Sequence, residues 1–202
     1  VLHPRCIAPA AQAGIPLTIR WTERPDVAGT VVSQHPDQVP AAIRAILSRR
    51  KLCMIRMQRD RRWQPVGFMA EVAACFQRRG LSMDLVSSSA SEIRATVDLA
   101  ANPSARSRLD ALLADLAAVC EPSLTERLMC VSIVGTRISD LLAPLAHVMH
   151  LLGRPTVHLI SHAADDTHLS YVVDEATGQE LVPAFHRALF ESNALPAGLG
   201  PT

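Results

Sequence analysis

The residues able to do chemistry in this 202-residue chain fall in four places. Among the histidines, His147 and His150 are three apart, and His158, His162 and His168 follow. Histidines three apart on a helix can face one metal ion, but strand residues four apart are separated by about 13 Å. No cysteine or carboxylate pattern completes either group, so surface or half-buried imidazole is the reading and no metal is expected. Cys6, Cys53, Cys75, Cys120 and Cys130 are odd in number and include no C-x-x-C, which predicts reduced, mostly buried thiols rather than a disulfide framework or a zinc ribbon. A basic run, Arg49, Arg50, Lys51, Arg56, Arg59, Arg61 and Arg62, could draw phosphates or acidic partners, although a solvated loop and helix end is the commoner role of such a run. Finally, Gly67, Phe68 and Met69 stand where a loop enters a helix, whose first N–H groups can hold an anion. Downstream, Asp84 is flanked by Ser82, Met83, Ser88 and Ser89, and the hydroxyls can donate or accept. Read alone, Asp84 is a solvated strand residue, the serines are a strand end and a turn, and Phe68 and Met69 serve equally well as packing residues or pocket walls.

Catalytic signatures are missing. There is no G-x-S-x-G, H-E-x-x-H or G-x-x-x-x-G-K-[ST]. Apolar residues make up 49% and charged residues 19%, a balance that favours a packed core over disorder. No run of 18 apolar residues exists, so no membrane span is expected. Charge is uneven: residues 1–66 carry net +7 and residues 67–202 net −6. The chain starts at valine with no signal-peptide pattern, which suggests a piece of a longer protein.

The elements that must position these residues can be read in order. Residues 1–14 suggest a loop and short helix, 15–21 a strand with a proline near its start, 30–33 an extended piece and 41–50 a short helix after Pro40. From there a strand (52–57), a helix with Phe68, Met69, Val72, Ala73 and Phe76 at helical spacing and a stop at Gly80, an alternating strand (82–87, with Met83 and Leu85 on one face and Asp84 and Val86 on the other), a strand carrying Ile93, Ala95 and Val97, a helix striped by Leu109, Leu112, Leu113 and Leu116, and a strand (120–126) follow. Strand (128–134), helix (141–152), strand (156–161), strand (168–173) and helix (175–190) come next. Residues 82–89 match residues 156–163 at an offset of 74, which points to duplication. Each half has the βαββαβ order of a ferredoxin-like sandwich, an antiparallel sheet with two helices on one face. Strands within the first 50 residues could complete either sheet.

Several segments together resemble one family. The first five residues, Val1-Leu-His-Pro-Arg5, are similar to the junction between the catalytic and regulatory parts of aspartokinases. Residues 15–19 and 29–32 are similar to the strands that come next. Gly67-Phe-Met-Ala-Glu-Val72 and Leu81-Ser-Met-Asp-Leu-Val-Ser-Ser-Ser89 resemble the first ACT domain of lysine-sensitive aspartokinases, and Phe185-His-Arg-Ala-Leu-Phe190 their last helix. The resemblance implies an α+β chain of two ferredoxin-like ACT domains with antiparallel sheets. Residues 1–50 would link from a kinase domain, 51–126 and 127–190 would be the two ACT domains, and 191–202 a tail. That tail could lead into a further domain, as in fusions with diaminopimelate decarboxylase. It further implies an allosteric region that binds an end-product amino acid, lysine first, and controls ATP-dependent phosphorylation of aspartate in a cytoplasmic biosynthetic enzyme. ATP and magnesium would be bound by the kinase domain, and this chain alone would be inactive and without a cofactor. In the family, positions like Gly67, Phe68, Met69, Ser82, Met83, Asp84 and Ser89 line an effector pocket between subunits. Ser88 joins them here as a donor or acceptor, and a homodimer is expected.

Two departures stand out. Arg61-Arg-Trp-Gln-Pro65 replaces small or polar residues, and Ala90 stands where the lysine-sensitive pattern has an acid, leaving Glu92 as the nearest substitute. His158 and His162 occupy the places of Asp84 and Ser88 in the second half, so that half is expected to pack and dimerise rather than bind. Two alternatives stand beside this reading: an ACT module that dimerises without a ligand, and an RNA-binding ferredoxin-like module. The latter needs stacking aromatics on adjacent strands, and residues 52–57 and 93–99 have none, so no nucleic acid is expected.

Overall fold

Two long strands organise most of the molecule in the computed structural model, which describes residues 4–32, 40–59, 66–101, 104–142, 145 and 156–191. The chain divides after Pro40 into two units. In the first, α1 (Pro4–Gln12) precedes a two-stranded antiparallel ribbon, β1 (Leu17–Ile19) and β2 (Thr30–Val32), with Leu17 opposite Val32. Gly29 is required where the ribbon turns, because a Cβ there would lie 2.1 Å from the Ile19 carbonyl oxygen.

The second unit is built on β3 (Ala42–Gln58) and β6 (Glu121–Thr136). Around them come α2 (Phe68–Arg79), β4 (Val86–Ser88), β5 (Glu92–Asp98), α3 (Ala105–Ala117), β7 (Val157–His162), β8 (His168–Asp174) and α4 (Glu175–His186), whose last turn continues as a π-turn to Glu191. The strands run β4-β5-β3-β6-β8-β7 and every pair is antiparallel. Of β3, β5 takes the Leu52–Gln58 part, and of β6, β8 takes the Leu128–Val134 part. Each long strand therefore serves two four-stranded halves, and each half has the ferredoxin-like order.

The expected helix over 41–50 is a strand. Its alanines, leucine and arginines favour a helix, but Ala42 to Arg49 pair with Thr136 to Cys130 of β6. This completes the fourth strand of the second half, and tertiary pairing overrides local propensity. The segment expected to be linker therefore contributes Ala42–Arg49 to the second half, and the unit boundary falls at Pro40 rather than Arg50. Where one half gives way to the other, β3 and β6 each bulge. Lys51 (φ 61°) and Arg127 (φ 56°) are left-handed, and the register slips on both sides of the Leu52–Leu128 pair.

Three clusters of buried side chains follow from this topology. Cys53, Ile55 and Met57 of β3, with Ile93, Ala95 and Val97 of β5, meet Phe68, Val72, Cys75 and Phe76 of α2 and Leu109, Leu112 and Leu116 of α3. The β5 and α3 stripes are as expected, whereas on α2 Cys75 packs in the core and the expected Met69 and Ala73 do not; each buried Leu or Phe contributes about 1.5–3 kcal/mol. In the second half Met129, Val131, Ile133 and Tyr171 pack on Leu181 and Phe185 of α4. Gly178 has a packing reason: a Cβ there would lie 2.6 Å from the Met129 sulfur. On the helix-free side Leu52 and Met54 join Leu128, Cys130, Leu159 and Val172, so that side of the two halves is also packed. This is why four consecutive residues, Leu52 to Ile55, are all buried.

Part of the second half's first helix is a 3-10 turn, Ile138–Leu141. The rest of the expected 141–152 helix, with His147 and His150, lies largely outside the described residues, as does the tail beyond Glu191. Among the described residues no helix is long and apolar enough to cross a membrane.

Candidate functional site

The glycine that enters α2 is in the left-handed region (Gly67 φ 100°), no side chain caps the helix, and a Cβ on Gly67 would meet nothing within 4 Å. Among the described residues no side chain takes up the first N–H groups of α2, and such groups can hold a carboxylate. Phe68 points into the core, 1% exposed, while Met69 is 42% exposed. Of the two, Met69 is the one available to a ligand. Arg59 ties this corner together. Its N–H donates to the Ser91 carbonyl, its guanidinium donates to Glu71 in the first turn of α2 at 3.1 Å, and it lies 5.5 Å over the Phe68 ring. Ser88 and Ser89 reach the same end of the sheet. Ser88 pairs with Ile93, and the Ser89 N–H donates to the Glu92 carbonyl.

Ser82, Met83 and Asp84 sit elsewhere. The expected strand over 82–87 is regular only from Val86 to Ser88. Before it the chain is extended but irregular, because the Thr96 hydroxyl accepts from the Leu85 N–H while the Thr96 carbonyl accepts from the Asp84 N–H. In consequence Met83 packs toward the α2–α3 core and Leu85 toward the helix-free cluster, so the expected sharing of one face by Met83 and Leu85 is lost. Ser82 is exposed. The Asp84 carboxylate is held by the Arg49 guanidinium at 2.8 Å. That contact and the nearby Cys130 thiol push the Arg49 pKa up, although partial burial opposes them.

Within one copy of the chain the eight expected residues form two groups. Asp84 precedes Ser88 by four strand positions, about 13 Å of rise, and lies toward the opposite end of the sheet from Gly67 and Met69. No signal in the sequence located Arg49 on Asp84, because 41–50 reads as helix. Glu92, the substitute for the acid missing at Ala90, is engaged by Arg56 and Arg94, and these partners hold its carboxyl below the usual range. Arg94 also donates to the His158 carbonyl at 2.9 Å, crossing to the second half.

In the second half, the counterparts of Asp84 and Ser88 bind carboxylates of their own. His158 contacts Asp174 at 3.1 Å and His162 contacts Asp166 at 2.8 Å. Among the described residues no three His, Cys, Asp or Glu side chains converge as a metal site. A cleft of about 400 Å³ is lined by Glu126, Arg127, Asp174, Glu175, Ala176 and Gln179, and none of the expected site residues line it.

No family model matches the chain. It is 28% identical over 200 residues to aspartokinase 1, chloroplastic, of Arabidopsis thaliana, covering 96% of this chain and 35% of that protein. It is 27% identical over 193 residues to lysine-sensitive aspartokinase 3 of Escherichia coli (strain K12), covering 95% and 43%. The chain thus spans well under half of these relatives. Among solved structures, E. coli aspartokinase III in complex with lysine and aspartate (T-state) superposes with a TM-score of 0.71 at 25% identity over 92% of this chain and 41% of that one. The regulatory subunit of aspartate kinase from Thermus thermophilus shares the fold, with a TM-score of 0.60 at 20% identity, and is covered to 99% of its length. Over nearly its whole length the chain is homologous to part of the aspartokinases, and it shares its fold with the regulatory subunit of aspartate kinase.

Proposed function

We propose that this chain senses an end-product α-amino acid, lysine in the first instance, and through it controls ATP-dependent phosphorylation of aspartate. In this reading the phosphotransferase chemistry, with ATP and magnesium, belongs to the kinase domain of the parent enzyme. The supporting observation is that β4 is an edge strand with Val86 42% exposed. Open edges pair. A two-fold axis through Val86 would set β4 against β4 of a second copy in antiparallel fashion. Asp84 of one copy would then stand opposite Ser88 of the other, near its Gly67–Met69 amides, and the two separated groups would become one site. The effector carboxylate would lie on the helix N-terminus and an ammonium on Asp84. The solved lysine complex of the E. coli enzyme makes lysine the first ligand to test. A cytoplasmic location is proposed with it; the plant relatives are chloroplastic.

A second reading, an ACT dimer without a ligand, is favoured by one observation: Asp84 already has Arg49 as a partner. Thermal melting of the chain against the common amino acids, with sedimentation at about 100 μM, separates the readings. A dimer stabilised by lysine supports the sensor. A dimer that no amino acid stabilises supports the ligand-free module, and a monomer overturns the shared site.

A further inference from the structure

Arg49 is the last paired residue of β3 before the bulge, opposite Cys130 of β6. It therefore belongs to the part of β3 that completes the second half, yet its side chain reaches into the first. One guanidinium nitrogen, Nη2, contacts the Asp84 carboxylate at 2.8 Å, and the other, Nη1, lies 3.9 Å from the Asp98 carboxylate. The arginine thus stands between two anions, bonded to one and within a small rotation of the other. Asp98 closes β5, and its Oδ1 accepts from the Ala100 and Ala101 N–H groups at 2.8 and 3.0 Å. Its Oδ2 is the atom that faces Arg49.

An incoming ammonium needs the carboxylate that Arg49 holds. One carboxylate can hold two cations, as Glu92 holds Arg56 and Arg94, but the cations repel each other, so an ammonium beside Arg49 either binds more weakly or displaces it. Building on the effector reading above, we propose that Arg49 is a two-position switch. With the site empty it holds Asp84, and when an amino acid places its ammonium on Asp84, Arg49 moves to Asp98. No bond is made or broken beyond this exchange of ion pairs. The exchange also gives the effector a route out of its pocket. Arg49 is followed directly by the bulge at Lys51, where β3 passes from one half to the other, so its side chain changes partner at the joint between the halves.

The test is calorimetric titration of L-lysine into the full chain, with L-threonine as a second probe of the α-ammonium. Arg49→Gln removes the competing charge and should tighten binding about threefold to tenfold, the range open to a partly solvated charge. Asp98→Asn keeps a carbonyl oxygen for Ala100 and Ala101 but removes the receiving anion, and should weaken binding about threefold. In the Arg49→Gln background the Asp98→Asn change should have no effect, because the group it receives is gone. That non-additivity is a readout that a merely structural role would not produce. Arg49→Lys, which keeps the charge, should bind more like the parent than like Arg49→Gln. If the parent binds an amino acid and Arg49→Gln binds it equally or more weakly, the switch is refuted and the effector reading stands. Additive effects of Arg49→Gln and Asp98→Asn refute it too. If neither the parent nor Arg49→Gln takes up either amino acid, the effector reading itself fails. Binding that appears only in Arg49→Gln supports the switch in its strongest form.

Discussion

Replacing Asp84 with alanine separates a small effect on stability from a large one on binding. The ion pair it breaks is partly solvated, with the Arg49 and Asp84 side chains 43% and 28% exposed. Such pairs contribute about 0–1 kcal/mol, and for a chain of this length that lowers the ligand-free melting point by at most about 4 °C. The effector loses more. An ammonium deprived of its carboxylate gives up about 1.5–3 kcal/mol, a tenfold to roughly hundredfold rise in Kd. At lysine a hundredfold above the parent Kd, the parent gains about 2.7 kcal/mol, a melting shift of about 5–10 °C. The variant, with lysine now only about one to ten times its Kd, gains about 0.4–1.4 kcal/mol, a shift of about 1–5 °C. His158→Ala, in the corresponding place of the second half, removes a contact to Asp174 and should leave the shift intact. Scanning fluorimetry of the three proteins with and without lysine reads these shifts. If Asp84→Ala keeps the full shift, Asp84 is not the ammonium partner. If His158→Ala abolishes it, the effector lies in the second half.

Other parts of the structure make their own predictions. Gly178→Ala sets a Cβ 2.6 Å from the Met129 sulfur and should destabilise by about 1–3 kcal/mol, read by urea unfolding. Glu92 is held below its ordinary value by Arg56 and Arg94. Its stabilisation is therefore present at neutral pH and fades as pH falls from the ordinary carboxylate range toward the lowered folded value. Glu92→Gln should flatten that part of an acid titration of stability, and an unchanged slope would contradict the assignment. Burial pushes the Cys53 thiol up to about 11, and Cys120, also desolvated, to about 11, whereas Cys6 is exposed. A thiol reagent at pH 8 should label Cys6 first, and fast labelling of Cys53 would show that the first-half core opens.

The parts of the fold legible in sequence are those whose side chains alternate or stripe against a single core. Phe68, Val72 and Phe76 of α2, Ile93, Ala95 and Val97 of β5, and Leu109, Leu112 and Leu116 of α3 all face one cluster, so their periodicity is legible. Residues 41–50 were misleading because their partner strand lies about 85 positions away, at 130–136, and nothing local records it. The 82–85 segment was misleading for a different reason. It alternates in sequence, but the Thr96 hydroxyl takes the Leu85 N–H and sends Met83 and Leu85 to opposite cores. The site was legible as residue types and not as geometry. Gly67 and Met69 occupy the helix entrance expected of them, while the Arg49 pairing of Asp84 follows from the misread strand.

A mixed-dimer titration tests the shared site most directly. Asp84→Ala removes the ammonium partner. Met69→Glu, at an exposed position in the first turn of α2, repels a carboxylate from the helix amides without burying anything. Each variant alone should bind lysine poorly. Unfolded together and refolded as a mixture, half of the dimers should be hybrids, each with one site built from the unaltered Asp84 of one copy and the unaltered Met69 of the other. The account predicts that calorimetry recovers parent-like affinity at about a quarter of the parent's sites, as an isologous interface requires. If the mixture binds no better than the two variants apart, the residues belong to separate sites, and the β4–β4 sensor is wrong.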